Sequence, residues 1–124
     1  PVVRVGGLLH FMLPDAALDP VKANINPCMF ANTGIPYLFK SAYQLGAKKQ
    51  RMKVIVVGGS QINDTNGFFN IGKRNEMAAR KIFHRNNVVI DYADTGGSGN
   101  RTIRLAVANG RCLLKVSGKG EMEI

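Results

Sequence analysis

Lys53-Val54-Ile55-Val56-Val57-Gly58-Gly59-Ser60 sets four consecutive β-branched residues ahead of a Gly-Gly-Ser exit. A run so short and so apolar suits a buried strand rather than a helix, which needs more length. Gly58-Gly59-Ser60 fits neither the Gly-x-Ser-x-Gly elbow nor the Walker phosphate loop, so it reads as a tight strand exit. Toward the N-terminus, Ile35, Leu38, Phe39, Ala42 and Leu45 recur at helical spacing and Gly46 supplies a stop. Toward the C-terminus, Ile71 to Phe83 forms a second amphipathic pattern, with Ile71, Ala78 and Ile82 on one side, Lys73, Arg74, Arg80 and Lys81 elsewhere, and Asn86-Asn87 as its end. Val88 to Tyr92 is strand-like again. Strand, helix, strand, helix and then strands define an α+β layered domain.

The flanks fill in the outline. Val2 to Leu13 is apolar and β-branched, is split by Gly6-Gly7 and stops at Pro14-Asp15, which predicts an extended strand with a glycine-marked bend. Asp15 to Pro27 has no clear period and reads as a loop, as does Gln61 to Gly67. Gly96, Gly97 and Gly99 make a flexible loop after the Val88–Tyr92 strand. Ile103, Leu105 and Val107 alternate with polar or small residues, and Asn109-Gly110 then leads into Arg111 to Val116, a pattern that predicts a hairpin with a two-residue turn. Ser117 to Ile124 carries two glycines and is expected to fray. The organisation expected is one domain over residues 1–116 with a C-terminal tail, 117–124.

At 124 residues the chain has room for one core. Its apolar stretches are far shorter than the roughly 20 residues that a membrane-spanning helix needs. No signal peptide is visible, and Pro1 in place of an initiating Met points to a start further upstream. Cys28 and Cys112 are too few and too far apart for a disulfide scaffold or zinc knuckle, which favours a reducing cytoplasm. No ligand cluster calls for a metal or organic cofactor. Seventeen Lys and Arg against eight Asp and Glu give a net charge of +9, which attracts acidic partners. The basic run Lys48-Lys49-Gln50-Arg51-Met52-Lys53 has no interleaved aromatic to stack bases, which argues against nucleic acid and for a solvated face or contact with an acidic protein.

Five segments in order resemble the CheD family of chemoreceptor glutamine deamidases: Gly6-Gly7-Leu8-Leu9-His10-Phe11-Met12-Leu13-Pro14, Ala31-Asn32-Thr33-Gly34-Ile35-Pro36, Lys53 to Ser60, Asn70-Ile71-Gly72-Lys73-Arg74-Asn75, and Asp94-Thr95-Gly96-Gly97. The resemblance implies an α+β sandwich of packed β-sheets flanked by helices. It also implies hydrolysis of glutamine side-chain amides on chemotaxis receptors, with those receptors and a CheC-type phosphatase as partners. A chain that only binds receptors or the phosphatase is the alternative. In the family a cysteine attacks the carboxamide, and His10 stands at what looks like the catalytic histidine position. The family's cysteine lies ahead of the histidine, in a Gly-Leu-Gly-Ser-Cys-like stretch preceded by a catalytic threonine, so the nucleophile is expected upstream of Pro1.

Each residue has a plainer reading as well. A histidine in an apolar strand is more often structural than catalytic, and it is the resemblance that favours catalysis for His10. Thr33 reads as a helix N-cap first and as a wall of the substrate cleft second. Cys28 is an ordinary thiol before it is a substitute nucleophile, Cys112 belongs to the core, and His84 is a favourable charge at a helix C-terminus.

Overall fold

The computed structural model describes residues 3–61 and 70–124. The Gln61–Gly67 loop expected from the sequence lies mostly outside the described residues. Strand β1, Ile55–Gly58, pairs in parallel with β2, Tyr92–Thr95, in the register Ile55↔Tyr92 to Gly58↔Thr95. Helix α3, Ile71–Arg85, lies between them in sequence and makes the crossover that a parallel pair requires. The second sheet is antiparallel, in the order β3, Arg101–Leu105, then β4, Cys112–Val116, then β5, Gly120–Glu123. Helix α1, Pro20–Ile25, and the longer α2, Ala31–Gln44, precede β1. The α+β class is as expected: two small sheets with helices around them.

The core forms where α2 meets α3. Ala31 and Ile35 of α2 and Ala79 and Phe83 of α3 are buried together. Leu9, Phe11, Phe39, Val54, Val56 and Ile90 close around them. The alanines let the helices approach, while the Phe39 and Phe83 rings meet at 5.8 Å between centroids. Each fully buried large side chain of this kind contributes about 1.5–3 kcal/mol. A second buried group, Cys112 and Leu114, lies on the inner face of β4.

Four expectations are corrected. First, Val3 to Met12 forms no ladder, with Arg4 at a left-handed φ of 51°, and Leu13 bridges, in parallel, to Phe30. Second, Asp15–Pro27 is not an irregular loop. The Asp15 carboxylate accepts from the Ala17 N–H at 2.8 Å and caps a 3-10 turn, Ala16–Leu18. Asp19 accepts from the Lys22 N–H at 3.1 Å and caps α1, with Pro20 at its first position. Third, the β3–β4 connection is longer than a two-residue turn. Leu105 pairs with Cys112, and Ala106 closes the loop by donating to Arg111 O and accepting from Gly110 N. Fourth, residues 120–123 are not frayed but pair with β4 as β5, helped by the Arg111–Glu123 ion pair at 3.1 Å.

Two shifts are smaller. Strand β2 begins at Tyr92 instead of Val88, because Val88 and Ile90 are spent plugging the core before the ladder starts. Helix α2 starts four residues ahead of Ile35 and takes Pro36 into its second turn, at the cost of the hydrogen bond that residue 36 would donate to Asn32.

Candidate functional site

Leu9 and Phe11 face the core while Leu8, His10 and Met12 are exposed, the two-residue alternation of an extended chain. The Leu9 side chain lies against Gly34, where an added Cβ would come within 3.1 Å of it and within 3.2 Å of the Cys28 backbone. Met12 N and Leu13 N both donate to Met29 O, at 2.8 and 3.0 Å, and Ala31 N donates back to Leu13 O at 2.9 Å. His10 is thus carried by a segment fixed on both sides, with its imidazole on the open face.

Thr33 lies three residues into α2, whose N-cap is Phe30, so the cap reading is overturned. Its hydroxyl donates to Pro27 O at 2.6 Å and ties the helix to the 3-10 turn Pro27–Met29. Next to it, Asn32 donates to the Asp15 carboxylate and accepts from Ala16 N, both at 2.9 Å. Leu9 on Gly34 brings the His10 segment and the Thr33 turn into one patch, although among the described residues no hydrogen bond joins His10 to Thr33. Cys28 is a half-buried free thiol beneath that contact.

From this patch a chain of contacts reaches the other three family-like segments. Asn75 of α3 donates to Met12 O at 3.0 Å, two residues past His10. Its Oδ1 is buried with no hydrogen-bond partner among the described residues, an acceptor of the kind that a bound donor group would satisfy. The first turn of α3 rests on the exit of β1 so closely that a Cβ at Gly72 would collide with the Gly59 carbonyl. Glu76, one residue past Asn75, accepts from the Thr95 hydroxyl at 2.6 Å.

Arg101 gathers what remains. Its guanidinium donates to Gly58 O at 3.1 Å, Ser60 Oγ at 2.6 Å, Asp94 Oδ1 at 3.2 Å and Gly96 O at 2.9 Å, with only 9% of the side chain exposed. Ser60 in turn donates to Gly99 O at 2.7 Å. The Gly58-Gly59-Ser60 exit and the Asp94-Thr95-Gly96-Gly97 loop are therefore one structure. Beside it opens a cleft of about 500 Å³ lined by Gly59, Lys73, Glu76 and Gly96. The sequence reading missed both Arg101 and Asn32, and neither leaves a local signal, since each acts on residues far away in the chain. Among the described residues no group of His, Cys, Asp and Glu gathers to hold a metal. No helix there is long and apolar enough to cross a membrane.

The segments that converge are those of one family. The CheD family model, described as CheD chemotactic sensory transduction, matches residues 12–116, and the chain belongs to this family. Among individual relatives, the probable chemoreceptor glutamine deamidase CheD 1 of Syntrophus aciditrophicus is 55% identical over 118 residues, which covers 95% of this chain and 74% of that protein. The probable chemoreceptor glutamine deamidase CheD of Solibacter usitatus is 40% identical, covering 96% of this chain and 70% of its own length. The corresponding Pyrococcus horikoshii protein is 33% identical, with 98% of this chain and 75% of its own length covered.

Proposed function

We propose that this chain is a chemoreceptor glutamine deamidase, with His10 as general base and acid and a cysteine N-terminal to Pro1 as nucleophile. His10 takes the thiol proton, the thiolate attacks the glutamine carboxamide carbon, and the C–N bond breaks as the imidazolium returns the proton to the departing ammonia. Water, deprotonated by the same imidazole, then hydrolyses the thioester to leave glutamate and the free thiol.

The observation that carries this reading is the placement of His10. It is solvent-facing, and core-anchored Leu9 and Phe11 and the backbone bonds to Met29 hold it in place. A backbone so held limits where the imidazole can meet a nucleophile. The exposed Leu8 and Met12 beside it, each 59% accessible, offer apolar surface on which the segment bearing the cysteine can lie. Thr33 contributes to substrate binding in this reading by fixing the Pro27–Met29 turn next to the Leu9–Gly34 contact. The relatives' names supply the substrate class, receptor glutamines. A CheC-type phosphatase is the second partner in this reading, on family resemblance alone, and the cytoplasm is its setting, where Cys28 and Cys112 stay as free thiols.

Ammonia release from a chemoreceptor cytoplasmic fragment tests the proposal. The full-length protein should deamidate the fragment, and His10→Ala should lower the rate by about 10²–10⁴-fold with receptor binding retained. Undiminished release by His10→Ala would remove His10 from the chemistry, and no release by the parent protein would leave a binding module.

A further inference from the structure

Helices α2 and α3 leave a groove of about 220 Å³ along the outer side of their contact. Its floor is apolar, made by Ile35 and Phe39 of α2 and Ile82 and Phe83 of α3. Its walls carry Lys40 and Lys49, with Tyr43, 41% exposed, at the rim. Lys49 belongs to the basic run singled out in the sequence. It reaches across to donate to Asn86 O at 2.8 Å, which fixes the ammonium in place without neutralising it. Among the described residues no carboxylate pairs with Lys40 or Lys49, whereas Arg80, Arg101, Arg104 and Arg111 all have acidic partners. On α3 the groove begins about two helical turns along from Asn75, and on α2 it begins at Ile35, the residue after Gly34 on which Leu9 packs.

We infer that this groove is a docking site for an acidic amphipathic helix of the protein substrate, an inference that rests on the deamidase reading given above. Three features select the occupant. The long sides of the groove are helices α2 and α3, and no strand lines it, so it offers no sheet edge on which an extended peptide could pair. The cavity has room for one or two apolar side chains, as a helix presents at positions i and i+4, and the wall lysines stand ready for carboxylates on either side of that stripe. The net charge of +9 makes a second copy of this chain a repulsive occupant and an acidic partner an attractive one. A flat lipid surface does not reach a floor set between helices, and nucleic acid gains nothing from an apolar one.

The test compares two substrates of the full-length protein: a chemoreceptor cytoplasmic fragment and a short blocked peptide holding a single glutamine. Lys40→Glu/Lys49→Glu should raise KM for the fragment by about tenfold with kcat unchanged, leave hydrolysis of the short peptide unaffected, and reduce the salt sensitivity of fragment binding. If the double variant unfolds, Lys40→Glu alone, at an exposed position with no bond to lose, should show the same direction. An unchanged KM for the fragment overturns the proposal. So does charge-dependent binding to phosphatidylglycerol vesicles with fragment affinity untouched, which would make the groove a lipid contact. If the parent protein hydrolyses neither substrate, the deamidase reading fails, and anisotropy of a labelled fragment still decides the groove: equal affinity for parent and variant, or no binding, overturns it.

Discussion

Thr33 shows how a residue at a helix start can do something other than cap it. The end of α2 is not fastened by a side-chain cap. It is fastened by the Thr33 hydroxyl reaching back to Pro27 O, with Asn32 bridging to Asp15. Because the bond is half-buried, Thr33→Val should destabilise the protein by about 1 kcal/mol in urea unfolding, and Thr33→Ser should recover most of the loss. A Val variant as stable as the parent would mean that packing of Leu9 on Gly34 alone holds the turn. His10 is the contrasting case, exposed and with no protein hydrogen-bond partner among the described residues. The thiols differ too: burial pushes the Cys112 thiol up, partly offset by Lys53, which disfavours its thiolate, while half-buried Cys28 is the more accessible.

Strand β5 exists because of its neighbours rather than its own composition. All four of its residues are exposed, and its pairing with β4 is reinforced where Arg111 holds Glu123 and Ile124 N donates to Cys112 O at 2.9 Å. The hydrogen bond and the charge of Arg111 lower the Glu123 pKa. A carboxylate with a depressed folded pKa adds stability that is fully present above its unfolded value and is lost as pH falls through the folded one. The protection of the Ile124 amide, corrected for intrinsic exchange, is therefore expected to drop below about pH 4 in the parent and to be far less acid-sensitive in Glu123→Gln. Equal acid sensitivity in both would show that the backbone ladder alone holds the strand. The effect is small, because both side chains face water and salt screens them.

Across the whole molecule, Arg101 is the group that joins the two sheets. It sits on β3 and takes hold of the β1 exit and the loop after β2, which no single element could do. Replacing it with Met keeps the length but takes the guanidinium donor from Asp94 and Ser60, while Gly58 O keeps the Gly96 N–H and Gly96 O keeps the Ser60 hydroxyl. Unfolding measurements should show a loss of roughly 2–3 kcal/mol, below the range for a fully buried pair because the Asp94 side chain keeps 32% exposure. Arg101→Lys should rescue only part, since an ammonium cannot reproduce the planar fork that meets four acceptors. Near-parental stability in Arg101→Met would mean that the sheets hold together through β4 and the core alone.

The sequence by itself determined the elements whose signals are local. The β-branched run before Gly58-Gly59 gave β1, the apolar spacing of Ile35 to Leu45 and of Ile71 to Phe83 gave α2 and α3, and the ordered motifs gave the family with His10 among them. Helix α1 was missed, because six residues are too few to show a period. Only the tertiary structure decided what depends on partners remote in the chain. Val3 to Met12 has the composition of a strand yet forms no ladder, while exposed Gly120–Glu123 lacks that composition and does, because pairing needs an open neighbouring edge as well as propensity. The same holds for the site. The family resemblance singled out His10, but its exposure, the Asn75 contact two residues on and the buried Arg101 come from packing, which brings together groups that the chain keeps tens of residues apart.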